Sequence, residues 1–240
     1  MKLAVLGAKG RMGSAVTRLA SGYGFDVVAQ IDTGDDLARI VSSGADAVVD
    51  FSTPAAFAKA GVVLESAPHP IALVSGTTGL DEDARALLDR LAKKTAVLWE
   101  PNMSVGVHVL STLVEKALAA LGPGYDVEVV EAQHRMKVDA PSGTALRLAE
   151  VVKAGRAGSR YVHGREGKPG ARDANEIGMH AMRGGDVIGD HTVYFFGDGE
   201  RLELTHRASS RDLFAHGALR CARWLAGKPP GRYRLADVIG

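Results

Sequence analysis

Cysteine is almost absent: Cys221 is the only one among 240 residues. One thiol cannot build a disulfide framework, so a reducing compartment, the cytoplasm, is expected. An excess of charge of either sign is missing too, since 29 Lys and Arg against 28 Asp and Glu leave a formal net charge of +1. That balance removes any global electrostatic case for nucleic acid or a membrane as partner; anion recognition has to be local. No apolar run approaches the roughly 18 residues of a membrane span. Met1–Leu6 runs straight into an apolar strand and is too short for a signal peptide. His69, His108, His163, His180, His191, His206 and His216 form no H-E-x-x-H pattern and have one cysteine to join them, so no metal is expected. No G-x-S-x-G occurs, and Cys221 sits on an apolar helix without a neighbouring base, which disfavours nucleophilic catalysis.

What is present is a chain long enough for one large or two modest domains, with ordinary hydrophobic content of 46%. Short apolar runs at Lys2–Leu6, Asp26–Ile31, Ala47–Phe51, Ile71–Ser75 and Ala96–Trp99 alternate with amphipathic segments such as Arg11–Ser21 and Asp81–Ala92. Strands apolar on both faces and separated by helices indicate a parallel α/β sheet. From about Ser104 the character changes: a helix over Ser104–Leu121, a strand over Asp126–Gln133, then a helix from about Ser142 to Lys153. Residues Ala154–Asn175 read as a loop. Strands follow at Glu176–Arg183, Asp190–Phe196 and Arg201–Arg207, the last two joined by a hairpin turn at Phe196–Glu200, and a final helix spans about Leu213–Ala226. The strand style is parallel first and meander-like later. This predicts two domains, residues 1–104 with 213–240 and residues 105–212, the second inserted before a C-terminal helix that returns to the first.

The stretch "VLGAKGRMG" places Gly7, Gly10 and Gly13 between the first strand and the first helix. Glycines there let the backbone approach a pyrophosphate seated on a helix N-terminus. Asp32 lies 19 residues beyond Gly13 at the end of the second strand, where a carboxylate can bind a ribose diol. The bland alternative is a tight turn with no ligand. An acid at this position favours NADH over NADPH, and Thr33 and Gly34 supply no arginine for a 2′-phosphate; Lys9 and Arg11 keep NADPH open. "SGTTG" at Ser75–Gly79 ends the fourth strand, and Gly76, Thr77 and Thr78 either serve the nicotinamide end or form a plain turn.

"EAQHRMKVDAPSGT", Glu131–Thr144, sets His134, Arg135 and Lys137 ahead of a helix start at Ser142–Thr144. Unpaired N–H groups, a close-approach glycine and basic side chains make a carboxylate or phosphate site. Two anionic groups held at once suggest a small dicarboxylate; a solvated basic loop with a plain cap is the alternative.

Together "GAKGRMG" (Gly7–Gly13), "VVDFSTP" (Val48–Pro54), "GTTG" (Gly76–Gly79), "PNMSVGV" (Pro101–Val107), "KVDAPSGTA" (Lys137–Ala145), "RGGDVIGDHTVYF" (Arg183–Phe195) and "HRASSRDLFAHGA" (His206–Ala218) resemble the 4-hydroxy-tetrahydrodipicolinate reductase (dihydrodipicolinate reductase) family along nearly the whole chain. The resemblance implies a Rossmann-like NAD(P)H domain completed by the C-terminal helix, and an α+β domain that binds substrate and builds a homotetramer. The activity implied is reduction of 4-hydroxy-tetrahydrodipicolinate to tetrahydrodipicolinate with loss of water, in lysine and diaminopimelate biosynthesis. Carried over by motif, Gly7, Ala8, Lys9, Gly10, Arg11 and Met12 line the cofactor, with Asp32, Gly76, Thr77, Thr78, Glu100, Pro101, Asn102 and Met103. His134, Lys137, Gly143 and Thr144 hold the substrate's carboxylates.

One position departs. The family pattern is Glu-x-His-His-x-x-Lys, its first His being the proton donor, and that place is Gln133 here. A neutral amide cannot deliver a proton near pH 7. Lys137, His134 or a bound water is then the acid. The alternatives are a related reductase whose substrate needs a different acid, and a catalytically silent dinucleotide-binding protein.

Overall fold

The computed structural model describes all 240 residues, Met1–Gly240. In chain order its elements are β1 (Lys2–Leu6), α1 (Arg11–Leu19), β2 (Asp26–Ile31), α2 (Arg39–Ser42), β3 (Ala47–Asp50), α3 (Pro54–Glu65), β4 (Ala72–Ser75), α4 (Glu82–Leu91) and β5 (Ala96–Trp99). There follow α5 (Val105–Leu121), β6 (Asp126–Gln133), α6 (Gly143–Ala154), β7 (Arg160–His163), β8 (Glu176–Arg183), β9 (Gly189–Gly197) and β10 (Glu200–Ala208). The chain ends with α7 (Asp212–Leu225), β11 (Gly231–Tyr233) and α8 (Leu235–Ile239). Two compact units result: Met1–Val105 with Arg211–Gly240, and Gly106–Ser210.

The first unit carries a six-stranded sheet in the order β11-β5-β4-β3-β1-β2, every pair parallel. Strand alternation divides its apolar residues between two cores. Leu3, Val5, Val49, Val74 and Leu98 face α1 and α7, with Val16, Ala218, Leu219 and Ala222 across from them. Leu6, Val48, Leu73 and Val97 face α3 and α4 on the other side, with Phe57, Leu64, Leu88 and Leu91. Helices on both faces of a parallel sheet make a doubly wound, Rossmann-like fold. The helix starts are written locally. Thr53 Oγ1 caps α3 by accepting the Ala56 N–H at 3.2 Å, with Pro54 in the first turn, and Asp81 caps α4 through the Ala84 N–H at 2.8 Å.

The second unit has a five-stranded sheet in the order β10-β9-β6-β8-β7. One face of β6, Val127 and Val129, packs with Ile177, Met179, Val193 and Phe195 against α5 and α6, through Leu110, Val114, Leu118, Leu148 and Val152. The sheet corrects the meander expectation, because only β6–β9 and β9–β10 are antiparallel while β6–β8 and β8–β7 are parallel. The loop expectation for Ala154–Asn175 is corrected as well: Arg160–His163 forms β7, an edge strand whose side chains are half-buried or exposed and so carry little apolar signal. The expectation about apolar runs needs correcting too. Val105–Gly124 reaches a mean hydropathy of 1.4 and is long and apolar enough, on composition, to cross a membrane. His108, Glu115 and Lys116 interrupt its run; Val107, Leu110, Val114 and Leu118 form a buried row at helical spacing, while Val109 and Leu113 are exposed.

Candidate active site

In the first unit β1 ends at Leu6 and the chain reverses at Gly7, whose φ of 78° favours glycine. The Gly7 N–H donates to the Ile31 carbonyl at 2.8 Å, fastening the loop to the end of β2. A Cβ on Gly7 would collide with the Phe51 carbonyl, and one on Gly13 with the Gly7 carbonyl, so both glycines are required by close backbone packing. Gly10 caps α1 with no side-chain hydrogen bond, which leaves the helix start open to a ligand. Asp32 grips the same loop. Its carboxylate accepts the Lys9 N–H at 2.7 Å and the Thr33 N–H at 2.8 Å. Those hydrogen bonds, from Thr33 and then Lys9, hold the Asp32 carboxyl below the usual carboxylate range.

Beside the loop lies a cleft of about 540 Å³, a size suited to a cofactor fragment. Gly7, Gly10 and Asp32 line it, together with Asp35, Phe51 and Lys59. Asp35 accepts the Asp32 N–H at 2.9 Å, so a second carboxylate stands beside the first. The glycine cradle, the open helix start and the carboxylate at the end of β2 fit a dinucleotide.

The "GTTG" loop is ordered from below. Gly76 packs on the Phe51 ring with no room for a Cβ, and Trp99 Nε1 donates to the Thr77 carbonyl at 2.8 Å. Met103 is buried, and its carbonyl leaves no space for a side chain at Gly217 of α7.

In the second unit the basic stretch leaves β6 at Gln133. Glu131, 1% exposed, is its organising group. One carboxylate oxygen accepts the Ser142 N–H at 2.9 Å and Arg183 Nη2 at 2.8 Å; the other accepts Gln133 Nε2 at 3.1 Å. His191 Nε2 lies 3.6 Å from that second oxygen and 3.3 Å from Ser142 Oγ. Burial pushes the Glu131 carboxyl up, but the neighbouring His191 and the hydrogen bonds from Ser142 and Arg183 outweigh it and hold the group well below its usual range. Ser142 Oγ in turn caps α6 through the Ala145 N–H at 3.2 Å. Arg183 Nη2 also donates to the Asp139 carbonyl at 2.7 Å, and Lys137 Nζ pairs with Asp139 Oδ1 at 2.7 Å. The network therefore ties the end of β6, the loop and the start of α6 into one piece.

The family model described as "Dihydrodipicolinate reductase, N-terminus" matches residues 1–103, and "Dihydrodipicolinate reductase, C-terminus" matches 106–239. The chain belongs to the dihydrodipicolinate reductase family. A protein named 4-hydroxy-tetrahydrodipicolinate reductase from Myxococcus xanthus is 48% identical over 99% of this chain and 89% of its own length. Another of that name, from Halorhodospira halophila, is 51% identical over 88% of this chain and 79% of its own. Among solved structures, a dipicolinate-bound dihydrodipicolinate reductase from Paenisporosarcina sp. TG-14 superposes with a TM-score of 0.77 at 23% identity, covering 98% of this chain and 97% of that one, and so shares its fold.

For this member of the dihydrodipicolinate reductase family, the structure sorts the site residues expected from sequence. Gly7, Gly10 and Asp32 share the cleft. Ala8 is buried beneath the loop, Lys9 and Arg11 are exposed beside it, and Met12 packs partly into the core. Gly76 and Thr77 are buried, while Thr78 and Pro101 are exposed. Glu100 and Met103 are buried and Asn102 is half-buried, its Oδ1 accepting the Ser104 N–H at 2.9 Å. None of these last residues lines the cleft beside Asp32. His134, Lys137 and Thr144 are half-buried and Gly143 exposed. Sequence reasoning passed over Asp35, Phe51 and Lys59 in the cleft, and Arg183 and His191 behind the basic stretch. The "VVDFSTP" motif was the available signal for Phe51 and "RGGDVIGDHTVYF" for Arg183 and His191; Asp35 stands three positions from Asp32, and Lys59 is brought in by packing.

Proposed function

We propose that this chain reduces 4-hydroxy-tetrahydrodipicolinate to tetrahydrodipicolinate with loss of water, as an NAD(P)H-dependent oxidoreductase of lysine and diaminopimelate biosynthesis. The family match along both units carries this reading. Residues 1–104 and 213–240 serve as the dinucleotide-binding domain, and residues 105–212 bind substrate and assemble a homotetramer. Met182 and Phe196, exposed on one face of the second sheet, support that assembly. A cytoplasmic location accords with the free, buried Cys221.

When bound, the cofactor supplies a hydride. The glycine loop and the N-terminus of α1 hold its pyrophosphate, and Asp32 accepts from its ribose diol. Asp32 and Asp35 both line the cleft, and their two negative charges would oppose a bound 2′-phosphate, which favours NADH over NADPH. In the second unit Lys137, His134 and the start of α6 at Gly143 and Thr144 receive the two carboxylates of the cyclic substrate.

Gln133 is not the acid. An ionised carboxylate only accepts, so Glu131 fixes the amide with its NH₂ inward and its carbonyl turned away. Lys137, the ammonium on the same loop, is the proton donor we assign. Gln133 also favours a second reading, a related reductase whose substrate needs a different acid.

Titration with pyridine-2,6-dicarboxylate, a stable cyclic dicarboxylate, tests the site without turnover. Saturable binding that is lost in Lys137→Ala is the expected result. Absence of binding in the presence of NADH contradicts the dicarboxylate reading.

A further inference from the structure

Beneath the "GTTG" loop lies a buried carboxyl group that neither lines the cleft beside Asp32 nor touches the basic stretch. Asp50, the last residue of β3, has no exposed surface. One of its carboxylate oxygens accepts the Ser52 N–H at 3.0 Å and the Ser52 hydroxyl at 2.5 Å. The other accepts the Ser75 hydroxyl at 2.7 Å and the Thr77 hydroxyl at 2.8 Å. Both of these hydroxyls are already acceptors. Thr77 Oγ1 takes the Ser52 N–H at 3.1 Å and Ser75 Oγ takes the Thr77 N–H at 3.3 Å, so their own protons are directed at Asp50. Four donors converging on one group is the arrangement of a carboxylate anion. Burial is the largest influence on the Asp50 carboxyl and raises its pKa on balance, against the hydrogen bonds from Ser52, Ser75 and Thr77 and with no cation to help them; it is the four converging donors that mark the anion. A buried anion with no cationic partner is costly to keep.

The sheet order says which part of a ligand it would meet. β1 lies between β2 and β3, and β4 follows β3. A dinucleotide with its pyrophosphate at the end of β1 and one ribose at Asp32, past β2, must extend its other end over β3 and β4. Asp50, Gly76 and Thr77 stand at the carboxyl ends of those two strands.

We propose that Asp50 is the fixed counter-charge for the nicotinamide end of the cofactor, favouring the cationic oxidised ring over the neutral reduced one. The inference rests on the cofactor reading above. Asp50 acts through the Ser75–Thr77 loop as a positioning residue, and its charge is in place before positive charge develops on the ring.

The test compares dissociation constants of NADH and NAD⁺, measured by titration on the full chain without substrate. In Asp50→Asn the ratio Kd(NAD⁺)/Kd(NADH) is expected to rise on the order of tenfold over the unaltered protein. Thr77→Val, which keeps the charge and removes one donor, should change both constants by a common factor. An unchanged ratio in Asp50→Asn would overturn the inference while leaving the cofactor reading intact. Absence of binding of either dinucleotide to the unaltered protein would overturn both. If Asp50→Asn does not fold, the unaltered protein still decides the matter. It should bind NAD⁺ more tightly than a benzamide adenine dinucleotide, whose ring is isosteric and uncharged, and equal or weaker binding of NAD⁺ would overturn the inference.

Discussion

Gln133 Nε2 donates to Glu131 Oε2 at 3.1 Å, and this contact fixes what the amide can offer. The inward NH₂ and outward carbonyl make Gln133 a fixed acceptor. Gln133→His would place an imidazole beside an ionised carboxylate, which raises its pKa and stores a transferable proton. The variant is expected to preserve or raise kcat and to add a limb to the pH–kcat profile that Gln133 lacks. Steady-state rates across pH 5.5–9 check both, and a lower kcat with an unchanged profile would contradict the proposed orientation.

Lys137→Ala removes the ammonium that we assign as acid. General acids contribute about 10²–10⁴-fold, so kcat should fall by at least about 10²-fold. A kcat within a factor of a few of the unaltered enzyme would exclude Lys137 from proton transfer, even if KM rose.

The two carboxylates in the cleft bear on cofactor choice. The ratio of kcat/KM values is expected to favour NADH, and Asp35→Ser should shift it about fivefold toward NADPH by removing one charge near a 2′-phosphate. Initial rates with both cofactors measure this directly. A preference for NADPH in the unaltered protein would refute it.

Gly217 sets helix propensity against packing. Alanine is better than glycine by about 1 kcal/mol inside a helix. A Cβ here, however, runs into the Met103 carbonyl, a backbone atom that cannot swing aside. Overpacking of this kind costs about 1–3 kcal/mol. Gly217→Ala should therefore destabilise the protein, seen as a lower midpoint in urea unfolding.

Stability should also fall in acid for a reason that can be traced. Burial alone pushes the Glu128 carboxyl up, but hydrogen bonds from Arg165, His180 and Arg172 outweigh it and lower the pKa from 4.5 to about 2. Arg165 holds both oxygens at 2.9 Å, and His180 Nε2 donates at 2.7 Å. A depressed carboxyl contributes stability above its unfolded value and loses it as pH falls through the folded one. About 3 kcal/mol is expected to disappear between pH 4.5 and about 2. Glu128→Gln should flatten that part of the stability curve.

The strands of the first unit were legible because parallel strands covered on both faces are nearly continuous apolar runs; β1, β2 and β5 fall where the runs predict. Short elements escaped. α2, β11 and α8 span too few residues to establish a period, and β7 is polar because it lies at an edge. The parallel pairing of β6 with β8 was illegible for another reason: neighbours in a sheet are chosen by packing between distant segments. The same limit applies to the site. Gly7, Asp32 and Lys137 announce themselves by residue type and spacing, whereas Asp50 and Arg183, although they stand in the "VVDFSTP" and "RGGDVIGDHTVYF" motifs, show what they hold only through Ser75 and Thr77 for the one and Glu131 for the other, 25 to 52 positions away.

Whether the chain turns over its substrate despite Gln133 decides the proposed function. It is tested most directly by following NADH and NADPH oxidation with substrate generated in situ from pyruvate and aspartate semialdehyde. Turnover that depends on both precursors, with NADH preferred and Lys137→Ala nearly silent, is the predicted result. No oxidation of either cofactor by a folded protein that binds them would contradict the account.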